Sequence, residues 1–396
     1  MLEELKSRPN YKWLILAVSM LTFGSANMGT QVLSPLRGKI AADVAMTETQ
    51  MGMLTSAYVI AGIFLPILLS MVYRRAPIKK IVIAGGLLMS AGFLAFSFAS
   101  DYRGLIIARF ISGIGSVVFL TASPVIASYA FRDGGLGFAM GIYGIAPCLF
   151  SLITLNVFGR FASWRTAIRV VSCFTFLVVA AIVLFLDKNT GNYSSEKKSE
   201  GGKKDKGEPL GFEVWKLAIM SMTMGATTLM YVTYAPGLYT EMGYSEQTAL
   251  FVTSLYMGLN IFFTAIVGKI LDKNRDYKRT ISAAGLLILG IADFLLASAF
   301  MPGKIVLGVL MGVITTAPPI AMFSMYAEVC PPDKMTTGTC IVSFLQNVGQ
   351  YLGPVAGGML LDAGKGYPSV FYLMAALLAC GALTIYTVKF RPQTGK

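Results

Sequence analysis

The chain has 396 residues, 55% of them hydrophobic and only 13% charged, with a mean hydropathy of +0.66 and a formal net charge of +13. Apolar content on this scale excludes a soluble globular core and points to a chain that crosses a bilayer repeatedly. With no His, and five Cys in no ligand spacing, the residues offer no transition-metal site, no disulfide framework and no imidazole base for a nucleophile, so neither an enzyme nor a cofactor is expected.

A helix rises about 1.5 Å per residue and the hydrocarbon core is about 30 Å thick, so about 20 apolar residues make one span. Six uncharged runs meet this condition before residue 187: Trp13 to Leu36, Thr49 to Tyr73, Ile81 to Ser100, Phe110 to Phe131, Gly134 to Gly159 and Val170 to Leu186. The first is too long for a signal-peptide core and no small-residue cleavage site follows it, so it is read as a retained first span. Asp187 to Lys216 comes next, a stretch of Lys, Glu, Gly and Ser with almost nothing to bury. It is expected to be a disordered linker whose last residues, Leu210 to Lys216, lead into the seventh span at the interface. The second set of runs is Leu217 to Thr240, Gln247 to Gly268, Thr280 to Pro302 (interrupted only by Asp293), Ile305 to Ala327, Met335 to Leu361 and Gly366 to Val388.

The expected fold is therefore an all-α polytopic membrane protein with twelve transmembrane helices. Residues 1–186 form one six-helix bundle, 187–216 a cytoplasmic linker and 217–396 a second bundle, around a central cavity. If the N-terminus is cytoplasmic, 24 of the 33 Lys and Arg fall on inner segments and eight on outer ones. That asymmetry places both termini and the linker in the cytoplasm of a bacterial-type plasma or inner membrane. The basicity is thus a topology signal, the partner is the lipid bilayer, and no nucleic acid is expected. The fourth and tenth spans carry Pro124 and Pro318–Pro319, each followed by a Gly-studded span, which favours bent helices beside a cavity.

Four local patterns then make the chain resemble the major facilitator superfamily over essentially its whole length. Gly268, Asp272, Lys273 and Arg279 are similar to that superfamily's cytoplasmic loop signature, and LIIARFISGIGS, with Arg109, Gly113 and Gly115, to its fourth-helix Arg motif. FRDGGLGFAMG (Phe131 to Gly141) resembles the usual start of helix five, and GQYLGPVAGG (Gly349 to Gly358) a Gly-Pro-Gly-Gly pattern. The resemblance implies a monomeric secondary transporter in which two bundles alternate access to a midplane site. It also implies a gating latch at Gly268, Asp272 and Arg279, with a solvated loop charge as the competing role of Asp272; Glu328, at the inner end of the tenth span, is read from its position as a partner for the basic inner loops that serves gating. In the first-half loop the acidic position holds Arg74, and the fifth span reads GIYGIAPCLF, which departs from the drug-antiporter pattern.

Substrate chemistry is sought among polar groups inside the spans. Arg109 stands out, because an intramembrane guanidinium is costly and its planar fork suits a carboxylate; the alternatives are snorkelling to the outer surface or a structural ion pair. No acidic residue lies in any first-half span, so the cavity potential is expected to be positive and the substrate a small anion such as an organic acid. Pairs on single helix faces complete the candidates: Asn27 with Gln31, Tyr231 with Tyr234, Tyr256 with Asn260, and Gln346 with Gln350. Interhelical hydrogen bonding is the competing role for each pair. Asp293 is read as a buried structural hydrogen bond ahead of a proton site, and Trp164, Arg165 and Arg169 as an interfacial anchor. A faint likeness to cyanate, nitro-compound and organic-acid permeases accompanies the anion reading, and efflux of amphiphilic, drug-like compounds is the alternative function.

Overall fold

In hydrocarbon no water satisfies peptide groups, so a spanning segment must bond its own N–H and C=O groups along a helix. A computed structural model describes residues 10–73, 76–131, 135–187, 211–272, 275–298, 303–330 and 335–389, and each apolar run in them is helical. The first span is α1 (Tyr11–Gln31), continued through a 3-10 turn at Ser34–Leu36 into α2 (Arg37–Asp43). The second is α3 (Glu48–Ser56) with α4 (Ala61–Tyr73), and the third to sixth are α5 (Ile78–Phe98), α6 (Tyr102–Ala130), α7 (Leu136–Tyr143) with α8 (Ala146–Phe158), and α9 (Trp164–Phe185). In the second half follow α10 (Phe212–Glu241), α11 (Glu246–Gly258) with α12 (Asn260–Asp272), and α13 (Arg275–Ala297). The last three spans are α14 (Lys304–Ile314) with α15 (Ala317–Val329), α16 (Met335–Asp362) and α17 (Gly366–Tyr386). No strand occurs among the described residues, and the linker lies outside them except for Asp187 and residues 211–216.

Nine helical stretches among the described residues are long and apolar enough to cross a membrane. Two that are not, α10 and α16, have the length, at 30 and 28 residues. What they lack is apolarity, because they carry Thr223, Thr227, Tyr231, Tyr234, Gln346, Asn347 and Gln350. Proline accounts for part of the bending. Pro147 opens α8 after the break at Gly144–Ile145, and Pro318 and Pro319 open α15 after Thr315–Thr316, where a missing N–H costs nothing. Pro124, by contrast, sits inside the unbroken α6.

Contacts divide the chain into two compact units, Met1–Met46 with Ala57–Lys203, and Thr47–Ser56 with Lys204–Lys396. Both invert the soluble pattern. Phe98, Phe138 and Leu177 in the first unit, and Phe262, Phe294 and Leu383 in the second, face outward, whereas hydroxyls are buried. Ser90 pairs with Ser172 at 3.1 Å and Ser25 with Thr175 at 3.0 Å across helices of the first unit. In the second unit α10 and α16 touch backbone to backbone, and a Cβ on Gly349 would stand 2.0 Å from the Met222 carbonyl oxygen.

The start of α3, counted with the second unit, has every N–H accounted for. Thr47 and Gln50 form a reciprocal capping box, the Thr47 N–H donating to Gln50 Oε1 at 3.0 Å and the Gln50 N–H to Thr47 Oγ1 at 3.2 Å. The N–H groups of Glu48 and Thr49 donate to Asp362 Oδ1 and Oδ2 at 2.7 and 2.8 Å, and that of Met51 to the Thr47 carbonyl at 3.0 Å. In the first unit, the anchor expected at the sixth span is corrected. Trp164 is buried, its Nε1 donating to Asp43 Oδ2 at 2.8 Å, and Arg165 forms an ion pair with the same carboxylate. Arg169 donates to Ser97 Oγ at 3.4 Å and lies over the Phe98 ring. A tryptophan with a carboxylate to bond packs inward, so these residues pin the ends of α2, α5 and α9 together.

Candidate functional site

In the first unit Arg109 lies two turns into α6, a helix capped by Asp101, whose carboxylate accepts from the Gly104 N–H at 3.3 Å. Its side chain is 0% exposed, which places it in the interior and removes the snorkelling alternative. Nη1 donates to the Gly29 carbonyl of α1 at 2.8 Å, and the guanidinium lies 4.6 Å from the centre of the Tyr58 ring. Tyr58 in turn donates to the Ala26 carbonyl at 3.1 Å. Two glycines permit this nest. A Cβ on Gly29 would stand 2.1 Å from the Tyr58 hydroxyl, and one on Gly113, in the Arg motif itself, 2.2 Å from the Tyr58 carbonyl oxygen. Of the other α1 candidates, Gln31 accepts from Ser151 of α8 at 2.6 Å, while Asn27 is half-buried. Tyr143 shares a hydrogen bond with Ser123 at 2.7 Å.

In the second unit the expected Tyr231–Tyr234 pair is divided between two neighbours. Tyr231 stacks on Tyr256 of α11 at 4.2 Å, meets Phe371 edge-on, and places its hydroxyl 3.4 Å from that of Tyr239. The Tyr234 hydroxyl instead donates to the Pro354 carbonyl of α16. Asn260, expected beside Tyr256, accepts from Thr316 at 2.6 Å. That bond joins the break in the eighth span at Leu259 to the break in the tenth at Thr315–Thr316. Gln346 and Gln350 are half-buried.

Among the expected gating residues, Arg279 donates from Nη1 to the Val388 carbonyl at 3.3 Å and covers the Tyr386 ring, so it is taken up by the end of the twelfth span. Gly268 and Asp272 lie in α12 and Glu328 in α15, but the side chains of Asp272 and Glu328 and the surroundings of Gly268 lie outside what the structure describes, as does Lys273. Sequence reasoning missed Tyr239, Asp43 and Asp362. Tyr239 carried a readable signal, standing eight residues and just over two turns from Tyr231. The partners of the two aspartates lie 121 and 314 residues away, beyond any local pattern. Among the described residues no group of His, Cys, Asp and Glu is placed to hold a metal ion.

The family model described as Major Facilitator Superfamily matches residues 15–346 and 278–396. The chain belongs to the major facilitator superfamily. Major facilitator relatives agree with the whole-length match. The inner membrane transport protein YdhP of Escherichia coli is 24% identical, covering 97% of each chain. The probable sulfoacetate transporter SauU of Cupriavidus necator is 22% identical, covering 96% of this chain and 94% of its own. A solved bacterial homologue of the human lysosomal transporter Spinster superposes with a TM-score of 0.77 at 15% identity, over 96% of this chain and 98% of that one. The fold is thus that of the major facilitators, a two-bundle multi-pass architecture of membrane transporters rather than enzymes, and such proteins move small molecules.

Proposed function

We propose that this protein carries a small anion, an organic acid or a compound like it, across a bacterial-type inner membrane by alternating access, with Arg109 as the fixed positive charge that binds it. The observation that carries the reading is that Arg109 is fully buried within α6, whereas the acidic residues of the first six spans, Asp43 and Glu48, stand at helix ends. A guanidinium stays charged at any physiological pH, and inside a low-dielectric unit it sets a positive potential. Its contacts with the Gly29 carbonyl and the Tyr58 ring involve only partial charges. A carboxylate or sulfonate offers a full charge in bidentate geometry and outcompetes both. The relative named for sulfoacetate supports this class. Asn27 in the same unit is half-buried and is a further proposed contact. Gly268, Asp272, Arg279 and Glu328 are proposed to gate.

The test is a thermal-shift screen of the purified protein against carboxylates, sulfoacetate, nitrate, cyanate and lipophilic cations. A true ligand at 100 times its dissociation constant stabilises by about 2.7 kcal/mol. Anions are expected to stabilise the parent and leave Arg109→Gln unmoved. Stabilisation by lipophilic cations alone would replace this reading with efflux of amphiphilic compounds.

A further inference from the structure

Asp293 stands near the end of α13, four residues before its last residue, Ala297, and is 1% exposed. A structural carboxylate of this kind has its oxygens occupied by donors. Here Oδ1 is buried with no hydrogen-bond partner among the described residues, which is not the satisfied bond read from the sequence. Tyr231 and Tyr239 from α10 and Tyr256 from α11 share one buried core cluster with Ala292 and Leu296, the α13 residues beside Asp293 in sequence and one turn on. All three tyrosines are themselves buried.

Among the described residues no cation is paired with the group. Of the elements packed against α13, α17 holds no charged residue. The charged residues of the others lie at their ends: Lys304 opens α14, Lys269 and Asp272 close α12, and Glu328 is one residue from the end of α15. At the neighbouring position of α13, Phe294 meets Tyr372 of α17. Among the described residues no ion pair joins Asp293 to Lys304. A carboxylate left with a bare oxygen and no counter-charge in such a place is strongly disfavoured, whereas one proton neutralises it and turns it into a donor.

We infer that Asp293, with Tyr231, Tyr239 and Tyr256, forms a buried proton-binding site in the second unit. The step is reversible protonation, one proton joining the carboxylate and no other bond changing. The hydroxyls of Tyr231 and Tyr239 give the proton a route along α10 toward the end of that helix at Glu241. A proton held here and an anion held at Arg109 together carry no net charge, and this use of the site rests on the anion reading above.

The site itself is tested without a substrate, by attenuated-total-reflection infrared spectra of the lipid-reconstituted protein titrated from acidic to alkaline buffer. The parent is expected to show the C=O band of a protonated carboxyl that is absent from Asp293→Asn, moves in Asp293→Glu, and changes frequency in Tyr239→Phe. The band must also shift in D2O and bleach reversibly at alkaline pH. An equal band in parent and Asp293→Asn overturns the inference, as does the absence of any protonated carboxyl. A band that never exchanges deuterium also overturns it, since that marks a sealed structural group. If Asp293→Asn does not fold, Asp293→Glu and Tyr239→Phe decide the matter by the same band. Failure here leaves the anion screen standing, and failure of the screen leaves the band to be read.

Discussion

Replacing Asp362 tests how α3 is held. Both carboxylate oxygens accept backbone N–H groups, from Glu48 at 2.7 Å and from Thr49 at 2.8 Å, and the helix N-terminus adds its partial positive charge. Removing a capping acceptor costs about 0.5–2 kcal/mol, and the loss of a charge at a helix end about 0.3–1 kcal/mol more. Asp362 is exposed, so the lower part of each range applies. Asp362→Ala is then expected to destabilise the start of α3 by about 1–2 kcal/mol, a factor of roughly 5–30 in local opening. Asp362→Asn keeps one carbonyl acceptor and loses the charge, and falls between alanine and the parent. The assay is amide hydrogen exchange resolved over residues 47–56 in detergent. The Glu48 and Thr49 amides should accelerate by that factor. The Gln50 amide, held by Thr47 Oγ1, should move much less. Unchanged rates for Glu48 and Thr49, or equal acceleration of all three, would refute the cap.

Arg109→Lys keeps the charge and loses the fork. At about 1.5–3 kcal/mol for a hydrogen bond to a charged group, calorimetry should show anion affinity weakened roughly tenfold to hundredfold, and parent-like binding would reduce Arg109 to a structural residue. Tyr234→Phe removes the hydroxyl donor from the buried Pro354 carbonyl, which keeps its place in the α16 ladder; losing one such bond costs about 0.5–1.5 kcal/mol, read as a lower unfolding midpoint. An unchanged midpoint would mean that water or a rearranged helix takes the carbonyl. Asn260→Ala removes the bond to Thr316, worth about 0.6 kcal/mol for a polar contact within a membrane. Amide exchange at Thr315 and Thr316 is expected to rise roughly threefold by that measure, with little change in global stability.

The helical spans were legible because a peptide in hydrocarbon has almost no alternative to a helix, so an uncharged run of the right length is already a structural statement. Arg109 was legible for the same reason, as a charge where charge is costly. The interruptions were only half legible. Pro147 and Pro318 mark two of them, but the turn at residues 57–60 and the break at Leu259 carry no proline. Helix-face arithmetic paired Tyr231 with Tyr234, yet three residues along a helix turn the side chain by about 300°. That difference is enough to give one tyrosine to Tyr256 and the other to Pro354. Trp164 read as a belt residue because its neighbours in sequence are basic, and Asp43, which draws it inward, lies far back in the chain.

The placement of α3 bears on how the protein is made. Because Thr47–Ser56 counts with the second unit while the residues on either side count with the first, the polypeptide passes between units three times, near residues 46, 56 and 203. The ribosome therefore delivers one helix of the second unit about 150 residues before the rest of it, with Met51 and Leu54, both buried in the finished protein, still without their neighbours. Asp362, which accepts from the Glu48 and Thr49 amides of that helix, is synthesised 314 residues after Glu48. The cap on this helix therefore waits for residues made long after it, and a gene divided at the linker would put this helix on the wrong fragment, leaving the second half short of a part that only co-expression of the first can return.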